Sequence, residues 1–144
     1  DLIFNTTFYV DDVQFYASKT NACMLNATVN WPRFIEFNGS LFTIYWTAVK
    51  LKDLNSSEEA MVYYGIVSGV NEIYAPLKVE EGDLVEVTFT FKYLPIIAYS
   101  SDLSRYEIDE ETNTFIGYYE NGTMVRVVPG VITFEEKLTA IVGP

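Results

Sequence analysis

Five asparagines stand in the acceptor pattern Asn-x-Ser/Thr: Asn5 (NTT), Asn26 (NAT), Asn38 (NGS), Asn55 (NSS) and Asn121 (NGT). The chemistry of that pattern is attachment of a glycan to the side-chain amide nitrogen in a secreted protein. Nine Asn and 21 Ser or Thr in 144 residues would give roughly 1.3 such patterns by chance. Five therefore point to a cell-surface or secreted glycoprotein. Their setting agrees, since Asn38 and Asn121 are each followed by Gly in a turn signal, Asn55 lies in a polar loop and Asn26 on the polar face of an alternating stretch.

Other chemistry is thinly represented. The chain contains no histidine, which removes Ser-His-Asp and Cys-His nucleophiles and zinc sites built on His. No glycine-rich phosphate loop occurs. Carboxylates cluster at Asp11-Asp12, Glu80-Glu81-Asp83, Asp109-Glu110-Glu111 and Glu135-Glu136. A glycosidase would need two of them across a cleft, and Asp109 to Asn113 offers hard oxygen ligands of the kind calcium takes, without EF-hand spacing. Solvated turns account for these clusters, so no catalytic residue, metal site or cofactor beyond N-linked glycans is expected. Cys23 is the single cysteine, so there is no intramolecular disulfide. Within Ala22-Cys23-Met24-Leu25 it reads as a small buried hydrophobe.

The elements that must carry these residues are strands. Hydrophobic residues make up 49% and charged residues 20%, with 11 Tyr and 10 Phe, types suited to a pleated, half-buried surface. The net charge of −11 argues against nucleic-acid binding, which needs Lys and Arg. No apolar run approaches a membrane span. Leu84 to Tyr93 is the clearest strand, with Val85, Val87, Phe89, Phe91 and Tyr93 on one face and Glu86, Thr88, Thr90 and Lys92 on the other. Cys23 to Asn30 alternates similarly, and Trp31-Pro32 ends it. Further strands are expected at Val13–Ala17, Phe34–Phe37, Leu41–Leu51, Ala60–Val67, Asn71–Val79, Phe115–Glu120, Thr123–Val128 and Val131–Val142. In the last, Ile132, Phe134, Leu138, Ala140 and Val142 share a face. Ser100 to Asn113 is the most polar stretch, with room for a short helical turn. No helical period is convincing.

About ten strands with turn signals between them predict an all-β, antiparallel β-sandwich, immunoglobulin-like or jelly-roll, with a closed barrel second. No linker marks a further domain.

The stretch Asp1 to Val10, DLIFNTTFYV, has one greasy face of Leu2, Phe4, Phe8 and Val10 beside Thr6. The opposite face carries Asn5 and Thr7, and Asp11-Asp12 is expected to close the strand. A glycan on Asn5 would point to water while the other face is buried. Burial at about 1.5–3 kcal/mol per side chain suits strand addition to a neighbouring sheet. The chain is thus expected to divide into a donor strand, residues 1–12, and a β-sandwich, residues 13–144.

With its one-faced first strand, Tyr/Thr/Val-rich body, dense acceptor sites and lack of disulfide, the chain resembles archaeal surface-filament subunits. Thread-type pilins of thermoacidophilic archaea come first, and bundling pilins related to the bacterial biofilm fibre protein TasA second. The resemblance implies an extracellular, N-glycosylated pilin in a homopolymer serving adhesion or biofilm formation. In it, Leu2, Phe4, Phe8 and Val10 would complete the sheet of the next subunit. The alternative is a monomeric or S-layer-associated adhesion domain. Neither implies an enzyme, a nucleic-acid partner or a membrane span.

Overall fold

The structure is a computed structural model, and it describes residues 2–3, 8–17, 22–63 and 65–144, with only the backbone of residues 2, 3 and 63. It is all-β and sandwich-like in class. The described residues form twelve strands: β1 (Leu2–Ile3), β2 (Tyr9–Ala17), β3 (Cys23–Asn30), β4 (Phe34–Phe37), β5 (Ser40–Asp53), β6 (Glu59–Tyr63), β7 (Gly69–Ala75), β8 (Leu84–Pro95), β9 (Leu103–Asp109), β10 (Thr114–Tyr119), β11 (Met124–Val127) and β12 (Ile132–Gly143). One 3-10 turn, Ile96–Tyr99, follows Pro95. Proline supplies no N–H to continue the ladder and so stops β8 there.

The chain forms two compact units. The first comprises Arg33–Tyr45 and Lys92–Phe134 together with β1, and the second the described residues of Thr6–Pro32, Trp46–Phe91 and Glu135–Pro144. Strands β5, β8 and β12 contribute residues to both.

In the second unit β2 pairs antiparallel with β3, and β3 with β7. β12 pairs with β2 in parallel, Val142 opposite Phe15 and Gly143 opposite Tyr16. The sheet is therefore mixed, whereas alternation alone suggested a purely antiparallel one. Alternation reports faces, and a parallel pair between strands far apart in sequence leaves no mark in it. The core follows the expected faces closely. Val85, Val87, Phe89 and Phe91 are fully buried, as are Cys23 and Leu25, with Ala27 and Val29 nearly so.

Asp11-Asp12 does not close a strand. β2 runs through it, and its register against β3 shifts between Asp11 and Gln14. Asp11 opposes Thr28 and Gln14 opposes Asn26, so Asp12 and Val13 together face Ala27. This is a β-bulge. Asp12 carries it with φ of 50°, a left-handed conformation that Asp tolerates better than most residues. The extra residue resets the alternation. Val10 and Phe15, five apart, are both buried at 3% and 1% exposure.

In the first unit, β4 and β5 form a hairpin in which Phe37 pairs with Ser40 across Asn38-Gly39. The φ values of 51° and 77° there are those of the primed two-residue turn that matches strand twist. A three-stranded sheet runs β11-β10-β9. Its strand β9 occupies the polar stretch Ser100 to Asn113, which by sequence had room for a short helical turn. On one face of the β9–β10 pair Ile108 opposes Phe115, and Tyr106 stacks on Phe115 at 5.3 Å. Arg105 and Glu107 face water, ion-paired at 3.8 Å, with Arg105 over the Tyr118 ring at 3.8 Å. An edge strand this exposed carries little apolar alternation.

Candidate functional site

The segment expected to act as donor is best described through Phe8 and Val10. Phe8 stacks on Trp31 with ring centroids 4.5 Å apart, and Trp31 stacks in turn on buried Phe91 at 4.3 Å. Val10 lies opposite Val29. Trp31 continues the odd-numbered inward face of β3, beyond the strand itself. Its backbone is held from both sides by one hydroxyl, since its N–H donates to Ser68 Oγ at 3.0 Å and Ser68 donates to its carbonyl at 2.7 Å. Sequence reading took Trp31-Pro32 only as a strand end and missed this seat. The signal was present in the parity of Trp31 with Cys23, Leu25, Ala27 and Val29. Leu2 pairs with Phe37 of β4 in the same chain. Phe4 and Asn5 lie outside the described residues.

β3 pairs with β2 from Tyr9 to Ala17, and β12 borders it at Phe15 and Tyr16. Were residues 9–12 withdrawn, β3 would lose its partner over Tyr9–Asp11.

Of the acceptor asparagines, Asn38, Asn55 and Asn121 are exposed and Asn26 is half-buried on β3. Asn121 caps its own turn, Oδ1 accepting from the Thr123 N–H at 2.9 Å. Asn55 Oδ1 accepts from the Leu84 N–H at 3.1 Å, a bond compatible with sugar on Nδ2. Glycopeptide mass spectrometry of the native protein is expected to find glycan on most of the five sites. Bare asparagine at three or more would contradict this.

Asp109 Oδ1 caps an exposed turn, accepting from the Glu111 and Thr112 N–H groups at 3.1 and 3.4 Å. Among the described residues, no group of three His, Cys, Asp or Glu is placed to hold a metal ion. Cys23 is buried, its Sγ 3.8 Å from the Ala75 carbonyl oxygen, and burial pushes the thiol up to about 11. It is a packing residue, as its apolar context suggested.

One carboxyl pair does interact. Asp53, buried at the end of β5, accepts from the Asn55 N–H at 2.8 Å, and the adjacent Leu54 N–H donates to the Leu84 carbonyl at 2.9 Å. That bond brings Asp83 alongside. A hydrogen bond to the Asp53 carboxyl raises Asp83 above its usual range, while the Glu80 backbone N–H, 3.1 Å from Asp83 Oδ2, pulls it down. The folded state holds this proton more tightly than the unfolded chain. Its stabilisation is therefore present in acid and lost as pH rises through the raised Asp83 value. Asp83→Asn keeps a donor toward Asp53 without titrating. The melting-temperature difference between parent and variant is expected to shift in the parent's favour as pH falls from about 7 toward 3.8, the ordinary Asp value. A difference independent of pH would contradict the raised Asp83 value.

Comparison of the chain with family models, with curated proteins and with solved structures finds no match in any of the three. Among the described residues, no helix is long and apolar enough to cross a membrane.

Proposed function

We propose that this chain is a structural subunit of an extracellular, N-glycosylated filament, without catalytic function, that polymerises head to tail by strand exchange and serves adhesion or biofilm formation. The observation that carries the reading is the pairing of Tyr9–Asp11 with β3, with Phe8 on Trp31 and Val10 against Val29. A neighbour's copy of the segment can make the same contacts, because domain swapping exchanges an element without changing its seat. A head-to-tail exchange does not close on itself and propagates as a fibre. The bulge at Asp12 supplies a point where the preceding segment can diverge from the rest of β2. Exposed acceptor asparagines on turns of both units fit a glycan-coated surface.

A second reading, a monomeric or S-layer-associated adhesion domain of the same fold, is favoured by the pairing of Leu2–Ile3 with Glu36–Phe37 and of Tyr9–Val10 with Val29–Asn30 in one chain. Electron micrographs and sizing of native material in mild detergent separate the two. Filaments are expected, together with their loss when residues 1–12 are removed and occupation of the vacated slot by a DLIFNTTFYV peptide. Monodisperse single chains would favour the adhesion domain.

A further inference from the structure

Asn26 differs from the other described acceptor sites in standing mid-strand, in the middle strand of three. On the outer face of β2, β3 and β7 the registers align in rows. Gln14, Asn26 and Glu72 form one, and Tyr16, Met24 and Tyr74 the next. Residues directly opposite on neighbouring strands share a face, so Asn26 is flanked by Gln14 and Glu72. Both flanking side chains are held. The Tyr16 hydroxyl donates to Gln14 Oε1 at 2.6 Å, and the Tyr74 hydroxyl to Glu72 Oε1 at 2.5 Å. Beside Asn26, toward Asp12, Thr28 and Val70, the surface sinks into an open depression of about 610 Å³, a volume in the range of small-ligand sites. Its wall chemistry, amide, carboxylate and hydroxyl, is that of a polyhydroxylated ligand's partners.

We propose that this depression is the seat of the Asn26 glycan, whose first sugars lie along the sheet and hydrogen-bond to Gln14 and Glu72. The inference rests on the glycosylation part of the function proposed above. A glycan leaving a turn, as at Asn38, starts from an exposed residue. One leaving Asn26 starts between two positioned polar side chains. Glu72 accepts from sugar hydroxyls, and Gln14, its Oε1 engaged by Tyr16, donates through Nε2. Tyr16 and Tyr74 are positioning residues, acting through the side chains they hold.

The test uses the folded glycoprotein from an N-glycosylating host, with a peptide-N-glycanase as probe and glycopeptide mass spectrometry as readout. Release from Asn26 is expected to be about tenfold slower than from Asn38, the size of effect one net hydrogen bond or two gives. The exposed double variant Gln14→Ala/Glu72→Ala should bring the two rates together. Equal rates in the parent, or slow release that the double variant leaves unchanged, would overturn the seat while leaving glycosylation intact. An Asn26 that carries no sugar would overturn the seat and the glycosylation reading at this position together.

Discussion

Trp31→Ala is expected to destabilise the protein by about 3–5 kcal/mol, the range for removing a buried large aromatic. The indole stands between Phe8 and Phe91, with ring centroids 4.5 and 4.3 Å away, and is 6% exposed. Its removal leaves Phe91 uncovered on one side and Phe8 without a seat. The clamp by Ser68 holds the Trp31 backbone, so the chain path stays and the space left by the ring does not collapse fully. Val70→Ala, at a side chain 79% exposed, should stay within about 0.5 kcal/mol. Denaturant titration of both variants measures the contrast. A Trp31→Ala loss below about 1 kcal/mol would mean that the stack is not an anchor.

The second large effect is expected at Val10→Asp, a loss of about 4 kcal/mol or more near neutral pH. Val10 is 3% exposed and faces Val29, itself nearly fully buried. A carboxylate there loses its hydration and gains no cation. Burial would raise its pKa, so the loss should shrink as pH falls and the group is protonated. The adjacent Asp11→Asn is exposed across the bulge and should change little. Under the filament reading, Val10→Asp also blocks assembly. Purified chains that fold normally yet do not polymerise would place the seat of Val10 in a neighbour.

Much of the fold was legible from alternation. β3 and β4 fall on the expected residues, and the inward face of β8 is the one its Val, Phe and Tyr spacing gives, because a strand with one buried face writes its burial directly into sequence parity. What was hidden has physical reasons. The bulge at Asp12 inserts one residue and flips parity, so a single strand reads as two. β9 has Arg105 and Glu107 in water and one paired edge, and so lacks an apolar signature. The parallel contact of β12 with β2 joins residues 142 and 15, and no local pattern encodes such a partner. The acceptor asparagines were legible as a motif. The flanking of Asn26 by Gln14 and Glu72 needed the register, and the register needed the bulge. Trp31 was seen as punctuation because Pro32 follows it, although its parity already assigned it to the core.

Under strand exchange, residues 1–12 of one chain take the place of the same residues in another, and one cysteine pair tests this most directly. Tyr9 and Asn30 are opposite partners in antiparallel strands, a placement in which paired cysteines can be bridged. In a Cys23→Ala background, which removes the native thiol, Tyr9→Cys/Asn30→Cys is assembled, oxidised and run on a denaturing gel without reductant. Strand exchange predicts a ladder of covalent oligomers that collapses on reduction, with the disulfide mapped between chains. A single monomer band, with Tyr9→Cys joined to Asn30→Cys of the same chain, would contradict strand exchange and leave the monomeric adhesion domain in its place.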